Sequence, residues 1–182
     1  WEIGKKVADY EVLIKWWSEN SYGRNLYIGH YVSALENGKV TGWQKPNEII
    51  RQLRMNLKYQ QVDGSAYFSA KTFMKNLQGL NDSLKTNFYR YPALCPVNKS
   101  LPGEPSAQPQ NMRVLKDHHE TFLIWDEVNE KGGCAVKYYV LYAFKGKKVG
   151  DLNDPSNILL VTTENCIDLN EIEKKLKGLI HL

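Results

Sequence analysis

Apolar positions along the chain follow two different periods, and the change falls near residue 96. In the first half, Tyr10, Leu13, Ile14 and Trp17 recur at helical spacing behind Asp9, whose short carboxylate can cap a helix start. The pattern predicts a helix over residues 9–20, stopped by Tyr22-Gly23. Trp16 and Trp17 sit at helical positions and are expected in the core. Residues 25–29 (Asn-Leu-Tyr-Ile-Gly) form a short apolar run that predicts a buried strand. Ile49, Ile50, Leu53 and Leu57 return to the helical period, and Pro46 suits the first turn of that helix. Residues 64–70 predict a second strand, and Leu80, Leu84 and Phe88 align on a last helix over residues 81–89. Strands separated by helices predict parallel pairing through right-handed crossovers.

The second half changes to short alternating runs. Residues 111–116 alternate. Residues 120–126 predict a strand with Phe122, Ile124 and Trp125 available to a core. Residues 136–144 are aromatic and β-branched, and residues 158–163 predict a further strand. Asp117-His118-His119, Lys131-Gly132-Gly133 and Asn153-Asp154-Pro155 supply the turns. This spacing predicts a β-sandwich. Between the halves, residues 96–109 hold four of the seven prolines, which reads as an extended linker. The organisation expected is an α/β part over 1–95, a Pro-rich linker over 96–108 and an all-β part over 109–182.

Length and composition narrow the picture. A chain of 182 residues with 42% hydrophobic positions can bury a core without staples. It is too short for a whole (β/α)8 barrel, which takes roughly 200–250 residues. No run of about 18 apolar residues predicts a membrane span, and the start lacks a signal-peptide pattern. The first residue is Trp1 rather than Met, so the expectation is a piece of a longer protein. Net charge is +4, with 13 Lys/Arg against 8 Asp/Glu up to residue 98 and 11 against 12 after it. The basic residues are spread singly, unlike a nucleic-acid footprint, so no nucleic-acid partner is expected.

Cys95, Cys134 and Cys166 show no zinc spacing. Cys95, between Leu94 and Pro96, is expected as a packed small hydrophobe. Cys134 and Cys166 can pair only if their Cα atoms approach within about 7 Å. His118-His119 lie in a turn without further ligands. No phosphate-cradling glycine motif and no Ser/His/Asp signature is present. The expectation is therefore no metal and no cofactor.

Several stretches resemble the C-terminal part of a bacterial glycosyl-hydrolase-like family, number 10. They are Trp1-Glu-Ile-Gly4, Asp9-Tyr10 with Ile14-Lys-Trp-Trp17, and Tyr22-Gly-Arg-Asn-Leu-Tyr-Ile-Gly29. Further on come Pro46-Asn-Glu48, Arg51-Gln-Leu-Arg-Met-Asn56, Gly64-Ser-Ala-Tyr-Phe-Ser69, Leu84-Lys85 and Tyr89-Arg-Tyr-Pro-Ala-Leu94. Residues 105–182 resemble a fibronectin type III module, through Pro109, Trp125, Tyr138-Tyr-Val-Leu-Tyr142 and the strand at 158–163. That module would normally finish one strand after Gly178-Leu-Ile-His-Leu182 and add another. The resemblance implies an α/β plus all-β chain: the C-terminal portion of a (β/α)8 barrel, with two parallel strands and helices, joined to a truncated fibronectin-like sandwich. It further implies glycoside hydrolysis, including of cell-wall glycan strands. It places the intact protein in the envelope or outside the cell, as a periplasmic protein or outer-membrane lipoprotein. In that register residues 1–4 follow strand six, residues 25–29 are strand seven and residues 64–70 strand eight.

Glycoside hydrolysis uses two carboxyls about 5–9.5 Å apart, and barrel enzymes carry such groups at C-terminal strand ends. Glu2 is the carboxylate this register places there, as a catalytic acid or base, as a substrate hydrogen-bonder or as a solvated glutamate. His30 and Tyr31 fall just past strand seven. His30 suits either a sugar hydroxyl or a structural role held by backbone carbonyls. Ser69 and Lys71 follow strand eight, and Lys71 suits either a carboxylate partner or solvent. Trp1 and Trp43 offer flat faces for sugar rings. Arg51 and Arg54 suit a solvated helix face. Lacking strands one to five, the chain alone should be inactive. Its open sheet edges would need the missing barrel portion or a second copy to cover them. The alternative is a structural or interaction module, in which the β-part braces the barrel or binds protein or carbohydrate.

Overall fold

The structure is a computed structural model that describes residues 1–36, 47–98, 100–101, 103, 106–128, 136–146 and 148–173. Pro46, Trp43, Cys134, the turn at 131–133 and the C-terminal residues 178–182 lie outside the described residues. The chain divides into two compact units, Trp1–Pro102 and Gly103–Leu182.

In the first unit, helix α1 (Tyr10–Glu19) starts where Asp9 accepts the backbone N–H groups of Glu11 and Val12. The same carboxylate accepts from Gly4 N at 2.5 Å, so one side chain satisfies orphan donors of both the helix and the preceding loop. Strand β1 (Leu26–His30), helix α2 (Glu48–Asn56) and strand β2 (Val62–Tyr67) follow. β1 and β2 pair in parallel, as helix-separated strands predict. Short helices α3 (Ala70–Met74) and α4 (Leu80–Ser83) come next, and the chain continues into a π-helical turn at Leu84–Phe88.

Alternation along β1 separates two faces. Ile28 packs with Tyr10 and Ile14 of α1 and Met55 of α2. A second cluster, built from Val32, Ala34, Ile49, Ile50, Leu53, Leu80 and Leu84, lies beside it. Tyr27 and Gly29 face the other way and are exposed, as is Ala66 opposite Gly29. The helices therefore cover one face of the parallel pair. On the open face the Tyr27 ring lies over Gly64, where an added Cβ would stand 3.0 Å from Tyr27 Cδ1. The described strands form a two-stranded parallel sheet here and no closed barrel.

Three expectations need correction. Trp16 and Trp17 are 51% and 41% exposed and stack edge to face on each other. Tyr10, Ile14 and Ser18 occupy the inward stripe of α1, so the tryptophans fall on its flank. Cys95 is exposed rather than packed, because it lies in a surface segment whose neighbour Leu94 is exposed too. The run at 111–116 does not alternate in burial: β3 (Arg113–Asp117) is exposed along its whole length, as an edge strand covered on neither face.

The second unit is antiparallel. β3 pairs with β4 (Glu120–Ile124), which pairs in turn with β7 (Cys166–Asp168). β5 (Tyr139–Tyr142) pairs with β6 (Ile158–Thr162). Trp125, Val128, Tyr139, Ile167 and Ile172 form one cluster fed by both sheets, and Tyr139 OH accepts from Val128 N. β7 was not legible as a strand, since three residues give no period. It is followed by a helical stretch at 169–173.

Candidate functional site

In parallel α/β sheets, ligands meet the chain beyond the carboxyl ends of the strands. That edge of the first unit gathers most of the residues singled out above. Phe68 N donates to His30 O and Ser33 N donates to Phe68 O, so the ladder runs past both strands and fixes the two exits together. Tyr31 and Phe68, both exposed, bring their rings within 6.5 Å. Ser69, half-buried, starts α3, and its carbonyl accepts from Thr72 N. Phe68 has no separate signal in the sequence, because it falls inside the run 64–70 predicted as a strand.

Residues 1–4 reach the same region through a parallel bridge between Glu2 and Asp9. Trp1 is half-exposed and meets the Tyr10 ring edge-on at 6.4 Å. Glu2 is not a solvated glutamate. It is buried, and its nearest cation is Lys5 Nζ at 3.5 Å. Lys71 is exposed on α3. The carboxylate of this corner is Glu36, which Lys75 bonds at 3.0 Å and Thr72 at 3.1 Å. Those two bonds, with the charge of Lys71 behind them, hold the Glu36 carboxyl below the usual range. Trp43 lies outside the described residues.

His30 is the residue whose placement changes most. It closes β1, is 2% exposed, and stacks between Tyr10 and Tyr67. Backbone carbonyls do not hold it; side chains do. Its Nδ1 lies 3.1 Å from Gln52 Oε1. Its Nε2 lies 3.2 Å from Asn56 Nδ2 and 3.1 Å from Ser65 Oγ. Gln52 Nε2 already donates to Trp1 O and to Glu48 Oε1, so Gln52 Oε1 is the acceptor and His30 Nδ1 carries the proton. Burial pushes the imidazole below its ordinary pKa of 6.5 and outweighs the Gln52 bond, which acts the other way. His30 is thus neutral, with both nitrogens engaged inside the fold and neither left for a sugar.

The residues around it form a polar stripe whose members belong to stretches of the family resemblance but to which the sequence assigns no role. Glu48, Gln52 and Asn56 stand at successive turns of α2, and all three are buried. Glu48 Oε1 accepts from Ile3 N at 2.8 Å, and Glu48 Oε2 accepts from Arg51 Nη1. Asn56 Oδ1 accepts from Tyr10 OH at 2.6 Å, and burial pushes the Tyr10 hydroxyl well above the usual phenol range. The signal was present as three polar residues at i, i+4 and i+8 among apolar neighbours. Read alone, that spacing is also a solvated face.

An open cleft of about 360 Å³ runs along the edge of β1 that no described strand pairs with. Trp1, Trp17, Tyr27, Tyr31, Tyr10 and Gln52 line it, and none of the described side chains lining it is charged. Among the described residues, no cluster of three His, Cys, Asp or Glu side chains could hold a metal ion. No described helix is long and apolar enough to cross a membrane.

The arrangement is that of an α/β edge furnished with aromatic rings. The chain is similar to glycosyl hydrolase YngK of Bacillus subtilis (strain 168), with 35% identity over 151 residues. The match covers 81% of this chain and 30% of the relative, so the chain spans less than a third of that protein's length. At 151 residues it exceeds either unit and must enter both. The sequence is glycosyl-hydrolase-like over that stretch. No protein-family model matches the chain, and no solved structure matches it significantly.

Proposed function

We propose that the chain is part of a glycoside hydrolase, supplying two strands of a (β/α)8 barrel and a fibronectin-like β-module. The intact protein would act on a glycan by carboxylate acid–base chemistry. The observation that carries this reading is the similarity to a glycosyl hydrolase across both units. The geometry supports it in three ways. The described helices cover one face of the parallel pair, and the other face carries Tyr27, Gly29 and Ala66, as an inner barrel face would before closure. Among the described residues, no strand pairs with the other edge of β1, and the segment 1–4 arrives at its carboxyl end, where a strand ahead of Trp1 would deliver it. The cleft, lined by aromatic rings, suits the apolar faces of pyranose rings.

Glu2 stands at this edge as one carboxyl, and the remaining strands would bring its partner to within about 5–9.5 Å. Cell-wall glycan strands are the substrate class to which the family resemblance points, and the cell envelope is the corresponding location. Reducing-end release from defined glycans, measured for the 182-residue chain and for a parent carrying the complete barrel, tests the reading. The parent should hydrolyse and the chain alone should not. Turnover by the isolated chain would sink the split-site reading, and an inactive parent would sink the glycosidase reading.

A further inference from the structure

The buried stripe of α2 has no role in the chemistry above, and its composition calls for one. A helix face packed on a sheet is ordinarily apolar, and a buried amide or carboxylate stabilises nothing unless every polar atom is bonded. Here Gln52 uses both N–H donors, to Trp1 O and Glu48 Oε1, and its carbonyl accepts from His30 Nδ1. No other side chain of that size supplies this set. A glutamate would set a second carboxylate against Glu48 and the Trp1 carbonyl. A lysine could not accept from His30, and leucine could do neither.

The bonds also close a circuit. Gln52 holds the Trp1 carbonyl and the His30 ring, and His30 Nε2 accepts from Asn56. Asn56 accepts from Tyr10, whose ring supports the edge of the Trp1 indole. The backbone and the side chain of Trp1 are thus referred to two successive turns on one face of α2.

We propose that Gln52 is a positioning residue of the carboxyl edge, fixing the Trp1 segment and the Nδ1–H tautomer of His30 with one side-chain amide. Its use for binding sugar rests on the glycosidase reading, whereas the geometry does not. Helix α2, rather than the strands, then sets where the Trp1 face stands. The titratable and charged groups about His30 are Tyr10 from α1, Glu48 through Gln52 on α2, and Tyr67 from β2.

The test uses the full chain, the isosteric variant Gln52→Glu and the apolar variant Gln52→Leu. Imidazole nitrogen NMR reports the His30 tautomer, and amide exchange reports Ile3, with Val161 of the second unit as internal reference. In the unaltered chain His30 should read as neutral and protonated on Nδ1. Gln52→Glu should raise the pH at which His30 titrates and speed Ile3 exchange roughly tenfold, as loss of a buried hydrogen bond implies, with Val161 unchanged. Gln52→Leu should abolish the single tautomer. If Gln52→Leu fails to fold, Gln52→Glu decides alone. A variant that lowers stability yet leaves both the His30 tautomer and titration and the Ile3 exchange relative to Val161 as before overturns the proposal. Adding chitohexaose or cellohexaose tests the glycan reading separately. If neither moves the Trp1 indole resonance, the sugar role of this edge fails while the positioning result stands.

Discussion

His30 carries the sharpest residue-scale consequence. Its imidazole is neutral in the fold, and burial lowers its pKa, whereas in the unfolded chain it titrates near 6.5. Between those values the unfolded state binds the extra proton. The stability that His30 contributes is therefore complete above about pH 6.5 and is lost as pH falls through the lowered folded value. Urea midpoints measured from pH 7.5 to 5 should fall, and His30→Gln should flatten that limb while lowering the midpoint at pH 7.5. An unchanged slope in the variant would show that the buried imidazole is not the group that titrates. Ser69 is placed by the predicted strand it follows, Glu2 by the register of the family resemblance, and Trp1 by its flat aromatic face. The partners of His30 could not be picked out, because Gln52, Asn56 and Ser65 lie 22, 26 and 35 positions away and only the packing of α2 on β1 brings them together.

At the scale of elements, α1 separates period from burial. Ile14 is fully buried against Tyr10, Ile28 and Met55, and Trp17 on the next turn is 41% exposed at the cleft. Ile14→Ala should cost about 2–5 kcal/mol by chemical denaturation, the range for emptying a packed aliphatic site. Trp17→Ala should cost well under half as much, because little of its ring leaves a packed surrounding. Equal losses would mean that the tryptophan pair closes the core after all. Helical spacing made both residues core candidates. A 3.6-residue period fixes only that positions share a face, and the face buried is the one that meets Ile28 and Met55. Asp9 was readable as a cap because capping is local: acceptor and donors lie within three residues.

On the scale of the whole molecule, the open face and the outer edge of β1 govern behaviour in solution. Among the described residues, the parallel pair has no third strand beside it, and the rings of Tyr27, Tyr31 and Phe68 are exposed. Sedimentation velocity should show association that grows with concentration, and Tyr27→Lys combined with Phe68→Lys should reduce it. A concentration-independent monomer would show that the face is stable uncovered.

The sequence by itself determined α1, β1, α2 and β2, the longer strands of the second unit, the parallel pairing of β1 with β2 and the change to antiparallel strands, but neither α3 nor β7. These follow from periodicity, caps and turn residues, which act over a few positions. Only the tertiary structure decided that the Trp16–Trp17 pair stays exposed and that His30 is sealed rather than offered to a ligand. It also decided that α2 turns a polar stripe inward. Each of these depends on which groups from distant segments meet. A polar side chain is buried only where others complete its hydrogen bonds, and no local pattern carries that information.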